Sequence, residues 1–97
     1  MTAQTIISEI NAYMHQHGGQ NRDWYVGIAS DPEQRLFTDH AVNKNPGIWI
    51  YRQADSSTIA RVVERAYLDA GCDGGPGGGD NGTDVVYAYR KTPNTEP

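Results

Sequence analysis

Residues suited to phosphate chemistry are concentrated in the middle of this 97-residue chain. Tyr25 and Gly27 lie two positions apart in the apolar segment WYVGIA, so both face the same side if this segment is a strand. Gly27 leaves that side bare, which would let a substrate or another backbone approach closely. Arg35 follows on a predicted helix, and its guanidinium offers a rigid fork of donors that suits phosphate.

His40 and Glu64 complete the candidate set. Glu64 lies in the middle of a predicted helix, beside its apolar stripe, where its carboxylate could hold a divalent cation. A tyrosine or histidine would help to deprotonate water, the cation would stabilise the leaving oxygen, and Arg35 would neutralise the charge developing on the phosphate. These residue types together suit metal-assisted phosphodiester hydrolysis.

Each of these residues also has an ordinary structural role open to it. Tyr25 could belong to the core, Arg35 could be a solvated charge, and His40 could cap a helix or pack. Glu64 stands between two arginines, so an exposed ion-pair face, worth only tenths of a kcal/mol, would account for it.

Hydrophobic periodicity predicts three helices that alternate with three strands. The predicted elements are, in order, helix 3–17, strand 24–29, helix 31–38, strand 48–53, helix 57–70 and strand 85–90. This order, α-β-α-β-α-β, favours a small three-stranded sheet covered by helices, in the α/β or α+β class. Parallel crossovers and mixed strand pairing are both compatible with it.

The two later helices begin at residues that are typical of helix N-termini. Asp31 followed by Pro32 predicts one start, and Asp55-Ser56 predicts the other. The core face of the longer helix is predicted from its apolar side chains, which are Ile59, Val63, Ala66 and Ala70.

The composition predicts one folded domain, residues 1–90, followed by a polar, flexible tail over residues 91–97. The formal net charge of −4 argues against a general nucleic-acid binder, although a local basic patch remains open. Cys72 is the single cysteine and cannot form an intramolecular disulfide, and no apolar run reaches the roughly 18–20 residues that span a membrane. We therefore expect a cytoplasmic protein without a membrane segment.

A glycine-rich segment from Gly71 to Asp84 predicts a loop. It lacks the lysine and the Ser/Thr of a phosphate-binding P-loop. A flexible connector and an anion-binding nest of backbone N–H groups are both open for it.

The segment YVGIASDPEQRLFTDH, from Tyr25 to His40, resembles the second motif of the GIY-YIG nuclease superfamily. In that family a Tyr-Ile/Val-Gly strand is followed by a helix with an essential arginine and then by a histidine or tyrosine. Here Arg35 stands ten positions after Tyr25, a spacing similar to that of the family. The segment WIYRQADSSTIARVVERAYLDAG resembles the family's third strand and following helix, whose metal-binding glutamate would correspond to Glu64. The resemblance covers roughly residues 24–71.

Two features depart from the family pattern. The Gly-Ile-Tyr strand should come directly before the strand of Tyr25, where this chain has a helix instead. A strand with Tyr87 and Tyr89 on one face occurs at 85–90, and the resemblance implies that it fills the vacant position in a permuted arrangement. His40 stands five positions after Arg35, where the family usually has four.

The resemblance implies a GIY-YIG-like fold with a defined site. Its catalytic residues would be Tyr25, Arg35, His40 and Tyr87, its metal ligand Glu64, and its substrate contacts Gly27, Arg35 and Tyr89. We expect Tyr25, Arg35, His40 and Glu64 to converge on one concave surface. We also expect strand 85–90 to pair with strand 24–29.

Two functions follow as hypotheses. The first is a Mg²⁺- or Mn²⁺-dependent endonuclease that cuts DNA or RNA, which the retained Tyr25, Arg35 and Glu64 favour. The second is a catalytically silent domain of the same fold that binds a partner protein or a small phosphorylated ligand, which the acidity of the chain favours. A third possibility is an unrelated α/β domain.

Overall fold

The computed structural model describes residues 1–75 and 82–97, so the centre of the predicted glycine loop lies outside it. The elements are α1 (Ala3–His17), a 3₁₀ turn (Asn21–Asp23), β1 (Trp24–Ala29), a π-helix (Gln34–Asp39), β2 (Trp49–Gln53), α2 (Ser57–Asp69) and β3 (Val85–Arg90). The predicted α+β class with a small three-stranded sheet is confirmed. Within the two described ranges, no helix is long and apolar enough to cross a membrane.

The last strand lies in the middle of the sheet, in the order β1-β3-β2, and both of its pairings are antiparallel. The predicted pairing of 85–90 with 24–29 is confirmed. In this register Tyr25 lies opposite Tyr89, and Gly27 lies opposite Tyr87. Both tyrosines of β3 therefore reach the face of the sheet that carries Tyr25.

Alternation along the strands gives the sheet two apolar faces. One face packs against α1 and α2 through a main core that includes Ile10, Val26, Val63 and Val86. The other face carries the tyrosines, and it is covered by Leu36 of the π-helix and by Val42. The side chains that could do chemistry therefore lie mostly on the face away from the two long helices.

The N-termini of the predicted helices are capped as expected. Asp31 Oδ1 accepts a hydrogen bond from Gln34 N at 3.1 Å, and Ser56 Oγ accepts one from Ile59 N at 3.2 Å. Such caps satisfy backbone donors that would otherwise lack partners and typically contribute about 1 kcal/mol.

The predicted core face of α2 is wrong in its rotation about the helix axis. Ala66 and Ala70 are exposed, whereas Ala60 and Tyr67 are buried together with Val63. This rotation buries the ring of Tyr67, which has much more apolar surface than an alanine. The Tyr67 hydroxyl keeps a partner when buried, because it donates to Asn11 Oδ1 at 2.8 Å.

Both outer edges of the sheet carry hydrogen bonds to other parts of the chain. At the edge of β2, Trp49 N donates to the hydroxyl of Tyr13 on α1 at 2.9 Å. At the edge of β1, Val26 N donates to Asp73 O and Asp73 N donates to Trp24 O, each at 2.9 Å. The residues that follow α2 thus add a short bridge to β1.

Residues 91–97 fold back towards the sheet. Thr92 and Thr95 close a turn, since Thr92 N donates to Thr95 Oγ1 at 2.9 Å and Thr95 N donates to Thr92 O at 3.2 Å. After this turn Glu96 N donates to His40 O at 2.7 Å. The flexibility expected for this segment stays a prediction.

Gly27→Ala should destabilise the fold, because a Cβ at this position would lie 2.5 Å from the Tyr87 hydroxyl oxygen and 2.6 Å from its Cζ. Overpacking of this kind costs about 1–3 kcal/mol in free energy of unfolding. Urea denaturation of the variant and the wild type measures the difference. The control is the same substitution in a Tyr87→Leu background, since leucine lacks the ring atoms that the new methyl group meets. An equal loss in both backgrounds would contradict the contact.

Candidate functional site

Three tyrosines and a histidine form a compact aromatic cluster on the covered face of the sheet. The ring of Tyr25 stacks with that of Tyr89 at 5.2 Å and with that of Tyr87 at 6.3 Å between centroids. The ring of His40 lies 4.5 Å from that of Tyr25. All four side chains are buried, so their polar atoms depend on one another and on nearby backbone for hydrogen bonds.

His40 has a defined tautomer in this cluster. Its Nδ1 lies 2.7 Å from the carbonyl oxygen of Glu96, and a carbonyl only accepts, so Nδ1 carries the proton. Burial lowers the pKa of His40, and the positive charge of Arg35 lowers it further, which outweighs the bond to Glu96. The imidazole is therefore neutral near pH 7. Its Nε2, 2.8 Å from the Tyr87 hydroxyl, accepts the hydrogen bond that this hydroxyl donates.

The π-helix brings Arg35 and His40 to the same side. His40 N donates to Arg35 O at 2.8 Å, a bond from residue i to i−5 instead of the i−4 bond of an α-helix. In the family that the sequence resembles, the arginine and the histidine are four residues apart, whereas here they are five apart. The wider turn of the π-helix accommodates this extra residue. The longer spacing therefore does not separate the arginine from the histidine.

Arg35 contacts Tyr87 and forms the exposed border of the cluster. Its guanidinium interacts with the Tyr87 hydroxyl, and this interaction is the main reason that the pKa of Arg35 is raised. The side chain is 47% exposed and pairs with Asp39 at 3.5 Å. An exposed i,i+4 pair of this kind is weak, so the guanidinium could exchange Asp39 for an anionic ligand.

Tyr87 lies at the centre of the cluster, and the groups around it change the pKa of its hydroxyl. Burial raises its pKa to about 12, the hydrogen bond from Arg35 lowers it, and the negative charge of Glu64 raises it. The phenol is therefore protonated at neutral pH and can lose its proton only to a suitably placed base. His40 Nε2 is in position to be that base.

Glu64 lies in the other layer of the protein and acts on this region through its charge. It lies on α2, which packs against the opposite face of the sheet, yet its charge raises the pKa of both Tyr25 and Tyr87 after the larger effect of burial. Burial likewise raises the pKa of Glu64, while Arg61 and Arg65 lower it. Glu64 is thus a partly desolvated carboxylate on α2 whose charge acts on the tyrosine cluster.

The structure brings Tyr25, Arg35 and His40 together around Tyr87, with Glu64 within electrostatic reach. The bare face of Gly27 is filled by the Tyr87 ring. The substrate contacts assigned to Gly27 and to the fully buried Tyr89 stay predictions.

The sequence did not indicate two of the groups that complete the cluster. The backbone of Gly75 interacts with the Tyr25 hydroxyl, and the carbonyl of Glu96 accepts from His40. Both are main-chain groups, which any residue carries, so residue type gives no signal for them. The glycine-rich composition was a partial indication for Gly75, because a Cβ there would lie 3.1 Å from the Tyr25 hydroxyl oxygen.

A divalent cation would have few protein ligands at this site. In the part of the chain that the structure describes, no group of three or more His, Cys, Asp or Glu side chains could hold a metal ion. Mg²⁺ is often held by one or two carboxylates, with water and substrate phosphate oxygens completing its shell. A single partly buried carboxylate whose other ligands come from water and substrate fits that ligand pattern, so Glu64 is compatible with Mg²⁺ or Mn²⁺.

Comparisons of this chain with protein-family models, with curated proteins and with solved structures gave no match. The relationship to the GIY-YIG superfamily therefore stays a hypothesis.

The buried His40 should make stability depend on pH. Its pKa is lowered in the folded state, so its contribution is fully present above the ordinary value of 6.5 and is lost as the pH falls through the lowered pKa. We expect the wild type to lose stability in this window, measured by denaturation at several pH values. In His40→Gln this component should disappear. The raised pKa of Glu64 acts in the opposite sense at lower pH, but it does so in both proteins. Parallel pH profiles would contradict the prediction.

Proposed function

We propose that this chain is a divalent-metal-dependent phosphodiesterase that cuts DNA or RNA, as a small GIY-YIG-like endonuclease. One observation carries the proposal, namely the hydrogen bond of the Tyr87 hydroxyl to His40 Nε2 at 2.8 Å, where the charge of Arg35 also acts on the hydroxyl. A phenol that donates to a neutral imidazole and feels the positive charge of a guanidinium is prepared to lose its proton. It can then take a proton from a water molecule.

Hydrolysis by this arrangement requires one relayed proton transfer. The Tyr87 proton moves to His40 Nε2 while Tyr87 takes a proton from the attacking water. The water oxygen forms a bond to phosphorus, and the bond from phosphorus to the leaving oxygen breaks. Arg35 neutralises charge on the phosphate oxygens in the transition state. The proton held by His40 can then return to solvent or to the leaving oxygen.

Glu64 is the residue that would hold Mg²⁺ or Mn²⁺. The bound cation would supply charge stabilisation at the leaving oxygen. The role of the chain is to keep the carboxylate partly desolvated near Tyr25 and Tyr87, where water and phosphate oxygens can complete the shell.

A second function is favoured by a different observation. Arg35 already pairs with Asp39, and the whole chain carries a formal net charge of −4. Both features weaken the attraction for a polyanion. A catalytically silent domain of this fold, which binds a partner protein or a small phosphorylated ligand, would tolerate them better than a nuclease.

Cleavage of DNA and RNA oligonucleotides with Mg²⁺ or Mn²⁺ tests the first function. Tyr87→Phe removes the hydroxyl that relays the proton, and we expect a loss of about 10²–10⁴-fold in rate. Arg35→Ala removes transition-state charge stabilisation, and we expect a loss of about 10²–10³-fold.

Matched controls are available on the same face of the protein. Tyr51→Phe removes a hydroxyl that bonds to Glu33, and Glu33→Gln removes an exposed carboxylate. We expect both variants to retain activity. If the wild type cuts none of the oligonucleotides with either metal, the nuclease function fails, and phosphate or protein binding becomes the better assignment.

Binding of the cation to Glu64 can be measured without cleavage. A ligand that binds only the native state stabilises it, by about 2.7 kcal/mol at one hundred times Kd. Mn²⁺ should therefore raise the melting temperature of the wild type and of Glu33→Gln, but not that of Glu64→Gln. The titration should be repeated with an oligonucleotide present, because substrate oxygens belong to the expected shell. Equal shifts in all three proteins would exclude Glu64 as the ligand.

A further inference from the structure

Two short hydrogen bonds join Glu96 to His40. Nδ1 of His40 donates to the carbonyl of Glu96, and Glu96 N donates to the carbonyl of His40, each at 2.7 Å. Only main-chain atoms of Glu96 take part, and its side chain is exposed. The C-terminal segment thus holds a buried histidine of the proposed site at two points.

A turn before Glu96 directs the C-terminal segment back towards His40. Thr92 and Thr95 exchange side-chain and main-chain hydrogen bonds, and Asn94 N donates to Thr92 Oγ1 at 3.2 Å. Thr92, Pro93 and Asn94 are exposed, so the turn is held by polar bonds more than by apolar burial. Its removal should therefore leave the main core intact.

Tyr89 supplies a competing partner for the same nitrogen. Its hydroxyl lies 3.1 Å from His40 Nδ1 and 3.5 Å from the carbonyl of Glu96. A hydroxyl can donate as well as accept, whereas a carbonyl only accepts. Without Glu96, the Tyr89 hydroxyl could donate to Nδ1, which would place the imidazole proton on Nε2. Nε2 would then point a proton at Tyr87 and could not accept one.

We propose that the carbonyl of Glu96 is a positioning group that fixes the Nδ1–H tautomer of His40, so that Nε2 stays free to accept the proton of Tyr87. Its importance for cleavage rests on the proposed function, but its effect on the tautomer does not. The segment from Thr92 to Pro97 is thereby part of the site. Glu96 favours the Nδ1–H tautomer of His40, and Tyr89 would favour the Nε2–H tautomer in its absence.

NMR of protein labelled with ¹⁵N-histidine tests this directly, because the imidazole nitrogen that carries the proton has a distinct chemical shift. The His40 signals are assigned with His40→Gln. In the full chain we expect Nδ1–H. In a chain that ends at Lys91 we expect a shift towards Nε2–H. Cleavage, where measured, should fall about 10-fold or more, by comparison with metal-bound histidines that lose the partner of their second ring nitrogen.

Two further variants keep the test decisive. Glu96→Ala retains both main-chain groups and should behave like the wild type in tautomer and in rate. T92A/T95A loosens the turn in a full-length chain and should shift the tautomer in the same direction as the truncation. This variant therefore provides the test if a thermal melt shows that the truncated chain does not fold. An unchanged tautomer in folded truncated protein and in T92A/T95A overturns the proposal. A tautomer shift in a protein that cleaves nothing supports the role of Glu96 and overturns the nuclease function.

Discussion

The position of β3 between β1 and β2 is the constraint on which the rest of the molecule depends. The two outer strands form their ladders with β3, which lies near the opposite end of the chain from β1. Because β3 carries Tyr87 and Tyr89, the same pairing that completes the sheet also places these phenols beside Tyr25 and His40. Formation of the sheet and assembly of the site are therefore one event, and both require contacts between residues far apart in sequence.

The aromatic face shows how buried polar groups can all be given hydrogen-bond partners. The hydroxyls of Tyr87 and Tyr89 and both nitrogens of His40 all have partners. Within the described residues, no buried side-chain nitrogen or oxygen lacks a hydrogen bond. Such a network is rigid, because each group restricts the next, and its low local dielectric strengthens the interaction of Tyr87 with the charges around it. Rigidity and perturbed proton affinity thus arise from the same packing.

The sequence predicted those features that depend on local pattern. Strand 85–90, the cap at Ser56 and helix 3–17 follow from residue type and spacing, and the proximity of Arg35 to His40 followed from a family resemblance. The rotation of α2 was missed, because the choice between burying Ala66 and burying Tyr67 depends on what α1 presents to them. The π-helix and the carbonyl of Glu96 were missed for a different reason, since backbone geometry and main-chain acceptors leave no mark in residue type.

The hydrogen bonds at the two outer edges of the sheet have a consequence for self-association. A small sheet with free edges can recruit a strand from another molecule, which is a route to domain swapping and to fibrils. Here the Tyr13 hydroxyl accepts a hydrogen bond from Trp49 N. The backbone of Asp73 forms hydrogen bonds with Trp24 O and Val26 N. An incoming strand would have to displace these groups before it could pair there. The residues after α2 and one tyrosine of α1 thus protect the sheet edges against strand addition, in a sheet that, over the described residues, has a single interior strand.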